Sequence, residues 1–190
     1  MQKIGTGMLA LTGANTYAGG TTISQGILAV DNRRGSGTGS GPIHVNGGMF
    51  GGTGTVAGAV TVGRRSGRAA VLTPGKPGAH PGTLTIHSAL TFNSNGIYLF
   101  ELDSDTGTAD QVLASGVTIN SGAQFSPRDV GASALVAGTV FTVISNTAAT
   151  PIAGTFANLA DGSMFTVGDN TFQASYEGGD GNDLTLTVVP

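Results

Sequence analysis

The chain has 190 residues, of which 33 are glycine; only 10% are charged, and the net charge is −3. Glycine is thus more than twice its usual share of about 7%, and charge less than half its usual share of about 25%. The absence of cysteine excludes a disulfide framework and a thiolate metal site, and no stretch approaches the roughly 20 apolar residues of a membrane helix.

The first elements lie between Leu9 and Val30. Leu9-Ala10-Leu11-Thr12, Thr21-Thr22-Ile23-Ser24 and Ile27-Leu28-Ala29-Val30 are separated by Gly13, Gly19, Gly20 and Gly26. Apolar residues recur at every second position, the period of a strand, and the Gly, Asn, Thr and Ser between them are turn formers. Ahead of them, Met1-Gln2-Lys3-Ile4-Gly5 lacks the apolar run of a secretory signal. Export would therefore need a signal outside this chain.

The strand–turn–strand unit then repeats. It occurs as Thr22–Leu28, His44–Phe50, Thr85–Phe92 and Thr118–Phe125, with a degenerate copy at Thr61-Val62-Gly63. Its anchors Ile23, Val45, Val62, Ile86 and Ile119 are 22, 17, 24 and 33 residues apart. A period of about 20–50 residues built from strands predicts a solenoid, in which each repeat buries its apolar face against its neighbours. The alternation places Leu9, Leu11, Ile23, Leu28, Val30, Ile43, Val45, Val60, Val62, Leu84, Ile86, Leu90, Phe92, Val117 and Ile119 in one interior column. It leaves Leu9, Leu11 and Ile23 without a coil before them, the expectation for a piece of a longer array.

Ile97 to Asp103 is apolar on both faces as far as Glu101. With the polar turn Asp103–Thr108 and the strand Asp110–Leu113, it predicts a longer coil with a protruding loop. From Val140 the pattern changes. Phe141–Ile144, Thr155–Leu159 and Met164–Val167 are short apolar runs, and Phe172–Tyr176 pairs with Leu184–Val188 across a Gly/Asp turn as an antiparallel hairpin. An open solenoid end invites further pairing, so residues 140–190 are expected to cap coils formed by residues 1–139 within one domain.

Gly13-Ala14-Asn15-Thr16-Tyr17-Ala18-Gly19-Gly20-Thr21-Thr22-Ile23, continuing through Gly26-Ile27-Leu28-Ala29-Val30, resembles the passenger-associated strand repeat of bacterial autotransporters, GxNTYxGxTxIxxGxLxV. Gly47–Val56, Thr73-Pro74-Gly75 with Pro81-Gly82-Thr83-Leu84, and the ending YEGGDGNDLTLTVV are similar to further parts of such passengers. The resemblance implies an all-β, single-stranded right-handed parallel β-helix with an antiparallel C-terminal cap region. It also implies export by a Gram-negative bacterium to the cell surface or beyond. The family's signal and transmembrane barrel are not in this sequence, so a truncated piece or a relative without them is expected.

Candidate chemistry is sparse. Gly178–Leu186 matches most of the calcium nonapeptide GGxGxDxUx, but as a single copy with Thr185 in the apolar slot; a hairpin turn is the simpler expectation. Asp103, Asp105 and Asp110, with Glu101, form the densest acidic cluster. Paired carboxylates can hydrolyse glycosides, yet these lie in one Gly/Thr-rich loop, expected to be solvated. His44, His80 and His87 lack metal-ligand spacing. Gly35–Gly41, GSGTGSG, lacks a phosphate-loop lysine and is expected to be a flexible corner or linker.

Residues 1–95 carry seven Lys/Arg and one acid, whereas residues 96–190 carry one base and ten acids. The bases cluster at Arg33-Arg34 and at Arg64, Arg65 and Arg68. No aromatics interleave with them as a nucleic-acid platform requires.

The expected function is a non-catalytic structural stalk or passenger segment, with no catalytic, cofactor or metal residues. Its expected partners are neighbouring coils or a translocator barrel of a parent protein, and it does not itself span a membrane. The alternative is an adhesin-type module recognising glycans or host surfaces through loops, with the five arginines on one side.

Overall fold

The computed structural model describes residues 1–76 and 80–190. It is all-β and a parallel β-solenoid, whose strands form three sheets, A, B and C. The chain visits A and then B through β1 (Gln2–Lys3) and β2 (Met8–Leu11), then through β3 (Thr21–Ile23) and β4 (Ile27–Val30). The next coils cross all three faces: β5 (Ile43–Val45), β6 (Gly48–Gly52) and β7 (Thr55–Val56), followed by β8 (Val60–Val62), β9 (Ala70–Pro74) and β10 (Thr83–Ile86). A larger coil holds β11 (Leu90–Phe92), β12 (Gly96–Asp103), the short β13 (Thr108–Ala109) folded back antiparallel on β12, and β14 (Gln111–Ala114). Then come β15 (Val117–Ile119), β16 (Gln124–Asp129) and β17 (Val140–Asn146).

Strand β17 is the point where pairing changes direction. It lies parallel to β14 on one side and antiparallel to the C-terminal strand β20 (Asp183–Val189) on the other. Two more strands, β18 (Met164–Val167) and β19 (Asn170–Gly178), complete the antiparallel end of sheet C. The expected C-terminal hairpin is present, with Phe172 opposite Val188 and Ala174 opposite Leu186. Thr155–Leu159 forms a tight loop closed by an isolated bridge between Phe156 and Leu159. Both side chains are buried.

The register separates the expected single column into several. On sheet A, Ile23, Val45, Val62, Phe92 and Ile119 are successive partners. On sheet B the sequence is Leu9, Leu28, Phe50, Leu72, Tyr98 and Phe125. Ile86 is therefore not the sheet A anchor of its repeat; it pairs with Val56 and Ala114 on sheet C, and Phe92 fills the sheet A position. Alternation decides whether a side chain points inward, but not which of three inward faces it lines.

Ile23 also departs from expectation. Strand β1 pairs with β3 and leaves Ile23 fully buried, while Leu9, with Ile4 and Met8, is exposed. Lys3 closes that corner, donating from Nζ to the carbonyls of Ile4, Gly5 and Gln25 at 3.1, 2.8 and 3.1 Å. The GSGTGSG stretch is a packed rung, not a linker. Asn15 N donates to Ser36 O, Gly37 N to Thr55 O and Ser40 N to Tyr17 O, tying the coil before to the coil after. Residues 37–39 are buried. Gly39 has φ +64, and a side chain there would drive into the Tyr17 backbone.

Toward the C-terminal end the core turns aromatic. Tyr98 lies against Phe92, Phe100, Phe125 and Phe156 with ring centroids 5.9–6.4 Å apart. Phe125, Phe165, Phe172 and Phe141 carry the cluster into the antiparallel strands. Tyr176 holds the Phe156 loop: its hydroxyl accepts from Phe156 N at 3.1 Å and donates to Leu159 O at 2.9 Å.

Candidate functional site

The four acids of the densest cluster serve different structural ends. Asp110 is fully buried, and its two oxygens accept from Gly82 N at 2.9 Å and Glu101 N at 3.0 Å. Glu101 is also buried and meets the half-exposed Arg128 at 3.5 Å, while its other oxygen has no partner. Asp103 closes its own turn by accepting from Asp105 N and Thr106 N. Asp105 reaches outward to Ser133 Oγ at 2.6 Å and Ala132 N at 3.1 Å, bonds that hold its carboxyl below the usual range. The expectation of a solvated loop therefore holds for Asp103 and Asp105 but fails for Glu101 and Asp110. The latter two lie where sheet B turns toward sheet C; Asp110 clamps neighbouring backbone, whereas Glu101 meets only Arg128.

Burial pushes the Asp110 carboxyl up to about 7, against the pull of its two N–H donors and with Glu101 adding to the rise. The unfolded carboxyl ionises near 3.8. Between these values the folded chain holds a proton that the unfolded chain has lost. The stabilisation is complete below the lower value and is lost as pH rises through the higher one. At 1.36 kcal/mol per unit the full effect is about 4 kcal/mol, of which roughly 2–3 kcal/mol is lost between pH 5 and pH 8. The urea midpoint should accordingly be higher at pH 5 than at pH 8, and Asp110→Asn should remove most of that difference. An equal difference in both proteins would contradict the assignment.

The Gly178–Leu186 turn is bound to the coil beside it. Asp183 accepts from Asn146 N at 2.8 Å, Asn182 donates to Ala148 O at 2.6 Å, and Asn146 Oδ1 accepts from Gly116 N at 3.0 Å. The Asp183 carboxylate thus serves a backbone staple, and burial pushes its carboxyl above the usual carboxylate range. Among the described residues no three His, Asp or Glu side chains converge as a metal-binding group. His44, at the centre of β5, faces solvent, as do His80 and His87. Among the described residues none donates to, or accepts from, a serine or carboxylate side chain.

The arginines fall on two corners, not one. Arg33 and Arg34 follow β4 as the chain leaves sheet B, whereas Arg64, Arg65 and Arg68 lie between β8 and β9, where sheet A turns into sheet B. All five are exposed. The second corner is held by the coil above it. Asn93 Nδ2 donates to Gly63 O at 2.9 Å, and Asn120 Nδ2 to Asn93 Oδ1 at 3.0 Å, forming a short asparagine ladder. Asn95 accepts from Arg64 N and donates to Arg68 O, and Ser94 Oγ reaches the carbonyls of Arg64 and Arg65. A cleft of about 310 Å3 opens here, lined by Arg65, Asn93, Ser94, Asn120 and Ser121. These asparagines were not singled out from the sequence. The available signal was their place one residue after a sheet A strand, as at Asn46, Asn93 and Asn120.

A stack of short parallel coils with Gly/Asn corners and an antiparallel end is the architecture that the passenger resemblance implies. Comparison with known proteins agrees. Residues 1–30 match the passenger-associated-transport-repeat, over the same glycine-bounded strands that carry the sequence resemblance. The chain is 36% identical over 123 residues to an extracellular serine protease of Serratia marcescens, covering 64% of this chain and 10% of that protein. It is 45% identical over 78 residues to the adhesin BmaC autotransporter of Brucella suis biovar 1, covering 41% of this chain and 2% of that protein. The chain is thus similar to autotransporter passenger sequences over these stretches, and it spans a small part of the length of these relatives.

Proposed function

We propose that the chain is a non-catalytic stalk segment of an exported passenger, with residues 1–139 forming its coils and 140–190 its cap. The observation that supports this most is the continuous interior. The sheet B column from Leu28 to Phe125 is buried at every step, and the carboxylates Asp110 and Asp183 are spent on backbone N–H groups. Neighbouring coils and a translocator barrel of a parent protein are its natural partners, and the surface or surroundings of a Gram-negative cell its location. Stacking gives rigidity without a cofactor, because each coil templates the next.

The test is display. Placed between a signal peptide and an outer-membrane barrel, the chain should reach the cell surface and be removable by protease added to intact cells. Retention in the periplasm would overturn the reading. Because one relative is a protease, the purified chain is also to be assayed on casein and a polysaccharide panel, with no turnover expected. A second reading, recognition of glycans or host surfaces through loops, is favoured by the unpaired arginine corner.

A further inference from the structure

We propose that the corner carrying Arg64, Arg65 and Arg68 is a binding site for polyanionic glycans, polymers bearing sulfate or carboxylate groups. The inference rests on the second reading above and names its ligand class. Three observations carry it.

The loop is longer than the fold requires. The same turn from sheet A to sheet B takes residues 46–47 between β5 and β6 and residues 93–95 between β11 and β12, but residues 63–69 between β8 and β9. The additional length holds three arginines within five positions.

The loop is also fixed through its backbone alone. Asn93, Ser94 and Asn95 engage the main chain of Gly63, Arg64, Arg65 and Arg68, while the guanidinium groups remain exposed and make no bond among the described residues. The sole ion pair among those residues is Arg128 with Glu101. Three cations within five positions of one loop, with no acidic partner among the described residues, repel one another, and a bound anion relieves that repulsion.

The cleft beside them has the chemistry of a sugar site. Guanidinium groups bind sulfate and carboxylate in two-pronged fashion. The side-chain oxygens of the exposed Asn120 and Ser121 accept no hydrogen bond among the described residues, leaving them to meet hydroxyl groups. No aromatic side chain lines the cleft, which disfavours single-stranded nucleic acid, whose bases require stacking platforms. The net charge of −3 opposes diffuse attraction of a polyanion, so binding would have to be local.

The experiment measures binding of the full chain to immobilised dextran sulfate, polygalacturonate, neutral dextran and single-stranded DNA at about 50 mM salt, where screening is weak. Expected are binding to dextran sulfate or polygalacturonate, little to neutral dextran or DNA, and loss of polyanion binding at about 1 M salt. The triple variant Arg64→Ser, Arg65→Ser, Arg68→Ser should bind at least about tenfold more weakly, as loss of charge-assisted pairs implies. Arg33→Ser with Arg34→Ser, on the other corner, should change binding less than about twofold by the same reasoning. An unchanged circular dichroism spectrum and melting temperature establish that both variants fold. Equal losses in the two variants, or DNA bound as tightly as dextran sulfate, would overturn the proposal. Binding to neutral dextran without binding to either polyanion would overturn it while leaving glycan recognition standing. Binding to no glycan would remove both.

Discussion

Gly51→Ala is expected to destabilise the chain by about 3 kcal/mol or more, among the larger effects open to a single methyl group. Gly51 lies in β6 opposite Thr73 of β9, and both are buried. A Cβ at this position would fall on the Thr73 carbonyl oxygen, far inside van der Waals contact, and 2.8 Å from the carbonyl carbon. The obstacle is backbone within a paired sheet, so no rotamer change relieves it, and the two coils must separate. Gly13→Ala is the matched control. A Cβ there meets nothing within 4 Å and the backbone is not left-handed, so its effect should stay within about 0.5 kcal/mol. Urea denaturation of the three proteins checks this, and equal midpoints for Gly51→Ala and the native chain would refute it.

Tyr98 should show the second large effect, divided between two parts of one side chain. Its ring is fully buried at the centre of the aromatic cluster, and Tyr98→Ala should cost about 3–5 kcal/mol through the cavity left behind. Its hydroxyl donates to Val143 O at 3.0 Å. Val143 is the residue skipped in the pairing of β17 with β20, where the register shifts between Thr142 and Ile144. Tyr98→Phe keeps the ring but strips that buried carbonyl of its donor, at a cost of about 1–3 kcal/mol. Burial also holds the hydroxyl well above its ordinary ionisation, so the donor remains protonated in ordinary buffers. If Tyr98→Phe proved neutral while Tyr98→Ala did not, the bulge contact would carry no stability.

The sequence displayed the solenoid because its signals are local: alternation within Ile43–Val45 or Leu90–Phe92, and glycine or asparagine at the bends. The C-terminal hairpin was legible for the same reason. The face occupied by each strand was not, since a corner after Ile86 resembles a corner after Phe92, and only long-range register separates sheet C from sheet A. The candidate sites divide along the same line. Asp103 and Asp105 behave as loop acids, but Asp110 sits only seven residues beyond Asp103 and is buried, because Gly82 from the coil before supplies its donor. Likewise GSGTGSG has a linker's composition, although its glycines are there to let coils approach, which composition alone does not convey. The arginine clusters were visible, but their separation onto two corners was not.

The change of strand direction at β17 has a consequence for how such a chain can vary in length. Upstream of it, each coil touches only the coils before and after, and corners of very different size connect the same sheets. A complete circuit can therefore be duplicated or removed there as an interchangeable module, leaving the terminal hairpin undisturbed. A partial circuit cannot, because it would deliver the next strand to the wrong face. Beyond β17, sheet C continues through the antiparallel strands β20, β19 and β18 instead of through a further parallel coil. The molecule is thus extensible in whole circuits on one side of that strand and fixed on the other, which makes β17 the natural boundary for building solenoids of graded length from this sequence.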